Sequence, residues 1–451
     1  MSSPIVFPVQ GQGLRLSLSL SRLMLALVVT AMAAATCAAP AFGDTPELTL
    51  PQAQQLAVQR SRQLAGSDHA ADAARQMAVA AGQLPDPVLK AGIDNLPVSG
   101  ADRLSVGQDF MTMRRLGVSQ ELTTAGKRRL RAEIYELEAD KAMAAKASAA
   151  AAIERDTALA WLDSYFTRRM AAVIADQITQ ARNEIEAAEG AYRAGRAGQA
   201  DVFAARAALI AVEDRADEIG QRGRRAAAML ARWTGGAGVA ALAAVPPIDS
   251  ISLDPAMADS ALDHHPDIAV LARQEAIAQA EARLADANRT PDWSVELAFQ
   301  QRGPAYSNMV SIGVSVPLQW DRKNRQDREL SAKLSMAQQA TAEREEMLRA
   351  HAAEIRSWII EWQGDRARHA RDEQQLLPLL HERTAATLAA YRGGKAALSD
   401  VLAARRSELD AQLQLLQLQA EVARLWAQLN FLIPTNSGAV HTPDTIDKDA
   451  P

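Results

Sequence analysis

This sequence of 451 residues contains only one cysteine, Cys37, and its aromatic residues make up only 4% of the chain. A single cysteine excludes an internal disulfide and a zinc site built from cysteines. Acidic side chains outnumber basic ones by 54 to 49. This balance argues against a nucleic-acid binder, because phosphate binding needs a basic surface. Hydrophobic residues still make up 48% of the chain, which is enough apolar material to order it.

The first 43 residues have the layout of an export signal. Arg15 and Arg22 precede a short apolar run, and small residues follow it. We expect cleavage after Ala41 or Gly43. Cys37 then belongs to the discarded segment; the alternative is that Cys37 is itself a lipid attachment point. The rest of the chain has no run of eighteen apolar residues, so we expect that it cannot cross a membrane as a single helix.

Several landmarks recur about 200 residues apart and in the same order. The matched segments are 85–86 with 291–292, 116–119 with 312–315, 127–129 with 323–325, 191–196 with 390–395, and 201–202 with 400–401. A shared order at a nearly constant offset predicts two copies of one structural unit. We place the first unit at 44–246 and the second at 247–434, followed by a flexible tail at 435–451.

Each unit is predicted to contain a helical run, a pair of strands and two long helices. The predicted helical runs are 51–83 and 255–288, and the predicted strands are 87–95, 113–122, 293–301 and 309–318. Ile312 and Val314 alternate with small or polar residues, as in a strand with one apolar face. Strands of 9 to 10 residues suit a tilted membrane strand.

Long helical segments follow each strand pair. Almost no helix breaker occurs between Gly126 and Gly190, or between Asn324 and Tyr391. More than 60 helical residues give a rod of roughly 90 to 100 Å at ~1.5 Å per residue. Pro378 is predicted to kink the second rod without necessarily ending it.

The last helix carries two apolar seams on roughly opposite sides. One seam contains Leu409, Leu413, Leu416, Ala420, Ala423 and Ala427, and the other contains Leu415, Leu418, Val422, Leu425, Leu429 and Leu432. A shorter seam in the first long helix contains Ile174, Ile178, Ala181, Ile185 and Ala188. A helix with two seams packs neighbours on both flanks, as in a wall of helices. Four strands cannot close a barrel, so other copies must supply the rest; three copies give about twelve strands and a usable bore.

The sequence resembles the TolC-type outer-membrane factors of bacterial efflux systems. The features that carry the resemblance are the duplicated layout, the Leu-Pro-Asp-Pro segment at 84–87, the strand at 116–122 that runs into Gly126-Lys127-Arg128, the two Tyr-x-x-Gly turns, and the ending at 430–434. The resemblance implies a mainly α fold with a small β part. Long antiparallel helices would form a trimeric α-barrel continuous with a 12-stranded transmembrane β-barrel, with four strands per chain.

The resemblance also implies a function and partners. The chain would be the passive channel component of a tripartite efflux system in the cell outer membrane, extending into the periplasm. Its partners would be two further copies, a periplasmic adaptor protein, an inner-membrane pump of the RND type and outer-membrane lipid. The run at 92–97 looks most like the heavy-metal efflux branch, which favours heavy-metal cations or small toxic compounds as cargo. We find no nucleophile elbow, metal-spaced ligand set or glycine-rich cradle, so we expect no enzyme activity and no cofactor.

The resemblance assigns roles to eight residues at the two Tyr-x-x-Gly turns. The expected adaptor-docking tips contain Tyr192, Gly195 and Arg196 in the first unit and Tyr391, Gly394 and Lys395 in the second. Asp201 and Asp400 would form the pore-entrance gate. The residues alone leave a second interpretation open for both aspartates, namely charges that stabilise a helix N-terminus. Ala403 stands where some members of the family carry a further acid.

Other residues favour structural interpretations. Met111 and Met113 are soft enough for Cu(I) or Ag(I), but packing or lipid contact is the favoured role. His264 and His265 suggest a turn or surface role, since adjacent residues do not share a helix face. The basic cluster of Lys127, Arg128, Arg129 and Arg131 fits either a collar at lipid phosphates or a solvated helix face.

A second class of protein, the periplasmic coiled-coil adaptor or structural rod, also needs export and long heptad helices. An adaptor is expected to contain one helical hairpin between soluble β domains. The duplicated strand pairs therefore favour the channel.

Overall fold

The computed structural model describes residues 47–236, 241–251 and 265–432. The described helices are α1 (Leu50–Arg60), α2 (Arg62–Ala81), α3 (Ala125–Arg193), α4 (Gln199–Thr234), α5 (Pro266–Ala287), α6 (Gln326–Arg371), α7 (Leu377–Arg392) and α8 (Leu398–Asn430). The strands are β1 (Val88–Asp94), β2 (Met113–Leu122), β3 (Trp293–Gln301) and β4 (Met309–Ser315). None of these helices combines the length and the hydrophobicity that a membrane crossing needs. The predicted signal with Cys37, His264 and the predicted tail lie outside the described residues.

The four strands form one antiparallel sheet in the order β1-β2-β3-β4. Val118 in β2 lies opposite Leu89 in β1 and Leu297 in β3, and Leu297 lies opposite Ile312 in β4. The predicted bounds of β2 and β3 agree with the structure, whereas β4 ends at Ser315, three residues before the predicted end. Pro317 explains the difference, because proline has no N–H to donate to a ladder.

The predicted N-terminal helical run is interrupted at one residue. Ser61 has an extended backbone (φ −68°, ψ 115°) and separates α1 from α2. Its hydroxyl accepts the N–H of Leu64 at 3.3 Å, so it caps α2. A serine inside a periodic apolar run looks like an ordinary helical residue in sequence, yet serine prefers this capping position.

The long helices differ between the two halves of the chain. α3 is continuous over 69 residues, or roughly 100 Å at ~1.5 Å per residue. In the second half, a π-helical turn at Asp372–Leu376 lies between α6 and α7 and ends directly before the turn that contains Pro378. The expected effect of Pro378 therefore takes the form of a π turn, which accommodates the missing N–H while the chain remains helical.

The helices pack side by side in two sets of four. At the helix ends that adjoin the strands, the order of neighbours is α2, α3, α5, α6; towards the other ends it is α7, α8, α3, α4. The main core is built around Trp161, Leu162 and Phe166 of α3, and Trp161 Nε1 donates to the backbone oxygen of Leu48 at 3.0 Å. Every residue of the predicted Leu409 seam is buried, and the Leu415 seam on the other side of α8 is buried or half-buried.

Candidate functional site

The sheet has one face of exposed apolar side chains. Its members are Leu89 and Ile93 in β1, Leu116 and Val118 in β2, Leu297 and Phe299 in β3, and Val310, Ile312 and Val314 in β4. The strand register places these residues on the same side. Ile312 is 75% exposed and Leu89 is 67% exposed. A continuous apolar surface of this kind marks a contact with lipid or with another protein.

The opposite face is polar and connected by ion pairs. Lys90 Nζ lies 2.7 Å from Glu296 Oε2, and Arg115 also pairs with Glu296. Arg115 lies 3.9 Å from Asp94. These side chains come from three strands that are adjacent in the sheet. The sheet therefore separates an apolar surface from a charged, hydrogen-bonded one, which is the alternation of strands between lipid and a water-filled lumen.

The junction between β2 and α3 buries a lysine. The Lys127 side chain is only 4% exposed, and its Nζ donates to Thr290 O at 2.6 Å and lies 2.9 Å from Asp292 Oδ1. Both interpretations of the basic cluster are thus wrong for Lys127, which is neither a lipid-facing nor a solvated residue. The reason is that the residue before β3, Asp292, lies beside this junction and supplies a carboxylate, although it is 165 positions from Lys127 in the sequence.

The first Tyr-x-x-Gly turn ends α3. Gly195 has a left-handed backbone (φ +70°) and its N–H donates to Tyr192 O at 2.9 Å. The N–H of Arg196 donates to Ala191 O, also at 2.9 Å. This pair of hydrogen bonds is the Schellman motif, which ends helices at a glycine because other residues disfavour positive φ.

The second turn repeats this geometry at the end of α7. Gly394 has φ +73°, and its N–H donates to Tyr391 O at 2.9 Å. The N–H of Lys395 donates to Ala390 O at 2.9 Å. The two turns that the sequence pairs therefore have the same backbone structure, and in each the basic residue after the glycine is exposed.

Asp201 and Asp400 each cap the helix that follows a turn. The Gly198 N–H donates to Asp201 Oδ2 at 2.9 Å, and the Ala397 N–H donates to Asp400 Oδ2 at 3.1 Å. Both carboxylates lie in the first turn of their helices, α4 and α8, where the helix dipole favours negative charge. One oxygen of each carboxylate thus has a local structural role. The assignment of a gate to these residues stays a prediction.

An apolar cluster brings the two turns to one place. Val202 of α4 and Leu398 of α8 are buried together, and Tyr391 packs against this cluster. Tyr192, its counterpart in the first turn, is 49% exposed. The two turns therefore have the same backbone structure but different surroundings. Tyr192 exposes its ring at this end of the helices, as does Phe203 near the start of α4, which is 56% exposed.

Ion pairs join the two halves of the chain close to the turns. Arg405 of α8 lies 2.5 Å from Glu184 of α3 and also donates to Gln180. Burial raises the pKa of the Glu184 carboxyl, and Arg405 opposes that increase. Arg215 of α4 pairs with Asp410 of α8. A cavity of about 450 Å³ lies beside these groups between α3, α4 and α8, and Ala403 also lines it.

The residues His265, Asp267 and His351 form the one group of possible metal ligands within the described ranges. Their ligand atoms lie within 4.8 Å of one another, and the two imidazole rings stack with centroids 4.6 Å apart. His265 is buried rather than on the surface, and its Nδ1 accepts the N–H of Asp267 at 3.3 Å as the cap of α5. Asp267 accepts a hydrogen bond from Ser148. His265 is thus engaged as a helix cap. Burial lowers the pKa of His265, and so does neighbouring His351.

Met111 and Met113 flank Thr112 where the β1–β2 loop enters β2. Met111 is 50% exposed, whereas Thr112 is fully buried and its hydroxyl donates to Asn95 O at 3.0 Å. Met113 is half-buried as the first residue of β2, and the packing role of the two methionines stays a prediction.

Comparisons with known proteins agree with this architecture. Residues 257–434 match the model of the family described as outer membrane efflux protein. No match to a curated protein sequence is found. Among solved structures, the chain is similar to the outer-membrane channel OprN, with a TM-score of 0.73, 19% sequence identity, and coverage of 85% of this chain and 89% of that chain.

Two further structures show the same likeness. The outer membrane protein VceC from Vibrio cholerae has a TM-score of 0.70 and 21% identity, over 85% of this chain and 95% of that chain. CusC, studied for its folding and transmembrane channel formation, has a TM-score of 0.72 and 16% identity, over 84% of this chain and 92% of that chain. This chain has the fold of these outer-membrane proteins. The expectation of a mainly helical fold with four antiparallel strands is thus confirmed.

Sequence reasoning missed the ion pairs that join distant segments at the strand–helix junction and near the turns. Nothing near Lys127 in the sequence indicates Asp292, and nothing near Glu184 indicates Arg405. One signal was available for the first pair: both residues belong to the repeated landmarks at 85–86 with 291–292 and 127–129 with 323–325.

Proposed function

We propose that this chain belongs as a whole to the outer membrane efflux protein family and is the outer-membrane channel of a tripartite efflux system. Three copies would close a 12-stranded barrel and a continuous helical duct across the periplasm. The match of the family model covers less than half of the chain, and the shared fold with outer-membrane channels extends that support to the first half.

The observation that carries the proposal is the two-faced, open sheet. One face exposes apolar side chains over all four strands, while the other holds the ion pairs of Glu296 with Lys90 and Arg115. β1 and β4 form the edges of this sheet, and each has one side without a strand partner among the described residues. Open edges are costly in lipid, because backbone groups there have no water to bond. Closure by further copies removes both edges.

We assign adaptor docking to the helical end of the protein. The two Schellman turns hold Tyr192, Gly195 and Arg196 beside Tyr391, Gly394 and Lys395. The exposed Tyr192 ring and two exposed basic side chains offer an apolar contact and positive charge to a partner protein. Asp201 and Asp400 lie just beyond the turns and would form acidic rings at the entrance of the duct.

The cargo assignment is a heavy-metal cation or a small toxic compound, and the energy would come from a proton-driven inner-membrane pump of the RND type. The resemblance of 92–97 to the heavy-metal branch supports this choice. A deletion strain should become sensitive to copper, silver or zinc, and complementation with the intact gene should restore growth. Sensitivity to detergents alone would favour the small compounds.

Two neighbouring substitutions test the channel itself. Ile312→Lys places a charge on the apolar face, and Ser311→Lys places the same charge on the polar face one residue away. A lysine in the lipid-facing band costs about 2 to 4 kcal/mol near the bilayer centre. We expect Ile312→Lys to abolish heat-modifiable oligomers in the outer-membrane fraction. We expect Ser311→Lys to insert normally and to change single-channel conductance in planar bilayers.

The wild-type protein provides the decisive control. A detergent-extracted oligomer that conducts ions supports the channel. A salt-soluble periplasmic monomer that does not conduct would contradict it and favour the alternative class, a periplasmic adaptor or structural protein of an export machine.

A further inference from the structure

The buried pair of Lys127 and Asp292 joins the first half of the chain to the second. Lys127 follows β2, and Asp292 directly precedes β3, the next strand in the sheet. Both side chains are well shielded, at 4% and 15% exposure. This ion pair therefore connects the end of β2 to the start of β3, where the first strand pair lies next to the second.

The repeat supplies a counterpart for each partner. The offset of 206 that relates Asp86 to Asp292 and the offset of 196 that relates Lys127 to Lys323 come from the matched landmarks. Asp86 lies just before β1, which begins at Val88, and Lys323 lies after β4, which ends at Ser315. Both side chains are exposed, and neither has an ion pair or hydrogen bond with any described residue. The two counterparts lie at the two edges of the sheet.

The same two offsets relate β2 to β4 and β1 to β3. Applied to the observed β2–β3 pairs, they predict which residues of β4 and β1 would lie opposite each other if these two edge strands paired. Leu116 lies opposite Phe299, and Val118 lies opposite Leu297. The corresponding pairs between β4 and β1 are Ile312 with Ile93, Val314 with Ala91 and Ser311 with Asp94.

This register agrees with the two faces of the sheet. Ile312 and Ile93 both lie on the apolar face, whereas Ser311 and Asp94 both lie on the polar face. A shift by one residue would place apolar side chains among the ion pairs, because neighbouring residues in a strand point to opposite faces. The offsets were taken from sequence landmarks alone, so their agreement with the faces is independent support.

We infer that the β4 edge of one copy binds the β1 edge of a second copy in this register, with Lys323 paired to Asp86 of the next copy. The inference rests on the proposed channel, in which identical chains close a ring. The occupant is a second copy because its edge carries both the complementary charge and the matching register. The contact is head-to-tail, so it generates a ring when the rotation closes.

Cysteine cross-linking tests the register. The variant Ser311→Cys/Asp94→Cys, in a Cys37→Ser background, places two thiols directly opposite each other across the proposed boundary. We expect oxidation to give covalent dimers and trimers, and reduction to reverse them. The matched control is Ser311→Cys/Gly92→Cys, in which the thiols are displaced by two residues. Directly opposite residues have Cβ atoms about 4.5 to 5.5 Å apart, against about 7 to 8 Å for displaced ones, so the control should cross-link at least several-fold less.

Charge reversal tests the ion pair separately. We expect Asp86→Lys and Lys323→Asp each to lower the temperature at which the oligomer dissociates in detergent, and we expect the double reversal to restore it. A double variant no more stable than either single variant would overturn the pair.

The outcomes separate this inference from the proposed function. If native mass measurement shows a trimer but the displaced control cross-links as well as the matched pair, the register is wrong and the channel stands. If the protein is monomeric in detergent and in the membrane, both fail.

Discussion

Gly195, which has a left-handed backbone in the first Tyr-x-x-Gly turn, makes a testable contribution to the stability of the end of α3. Gly195→Ala adds a side chain at φ +70°, where the added Cβ meets no other atom within 4 Å. The cost is therefore one of backbone conformation only, about 1 to 2 kcal/mol. Because the turn lies at the end of a long helix, we expect the loss to appear as easier local opening rather than as global unfolding.

Hydrogen exchange at the turn measures this loss. A loss of about 1 to 2 kcal/mol corresponds to a roughly 5- to 30-fold faster exchange of the amides that the Schellman motif protects. Gly190→Ala is a matched control in the same helix, where the added Cβ again meets nothing within 4 Å but the backbone is helical. That control should slow exchange or leave it unchanged, since alanine favours helices by roughly 0.5 to 1 kcal/mol over glycine. Equal exchange in both variants would refute the assignment of strain to the positive φ.

Three further predictions concern buried and capping groups. Lys127→Met should destabilise the protein by about 3 to 5 kcal/mol in thermal unfolding, since it leaves Asp292 without its charge partner; Lys127→Met/Asp292→Leu should recover part of the loss. Because the pKa of His265 is lowered, the folded state binds a proton less readily than the unfolded chain, so stability should fall as the pH drops below 6.5. His265→Asn, which keeps a capping side chain, should flatten that pH dependence. Asp400→Ala should raise conductance in planar bilayers, and unchanged conductance in Asp201→Ala/Asp400→Ala would remove the gate assignment.

The sequence predicted those parts of the fold that have a local pattern. β2 and β3 were predicted to the residue, since the alternation of side chains between two faces marks strands directly. The seams of α8 follow from a heptad spacing, and the glycine turns follow from the need for positive φ. The division into units at 246 and 247 stays a prediction.

Contacts between distant segments could not be predicted in this way. The break at Ser61 depends on a single side-chain hydrogen bond, and the π turn before Pro378 depends on how one helix adjusts to a missing donor. The pairing of Arg405 with Glu184 joins the last helix to the first long one. No periodicity in either segment specifies the other, because the partners meet only after the two halves have packed together.

The buried pair of Lys127 and Asp292 and the pair inferred between Asp86 and Lys323 place one duplicated motif in two environments. Lys127 and Asp292 belong to one chain, so they can be buried permanently, and each charge keeps its partner throughout. In the inferred contact, Asp86 and Lys323 would be surrounded by water until another copy arrives, and both are exposed in the single chain. An exposed ion pair contributes little, but it gains strength when water is excluded around it. The boundary between copies should therefore be more sensitive to salt during assembly than after closure, and ring formation followed at rising ionic strength should slow before the finished oligomer dissociates.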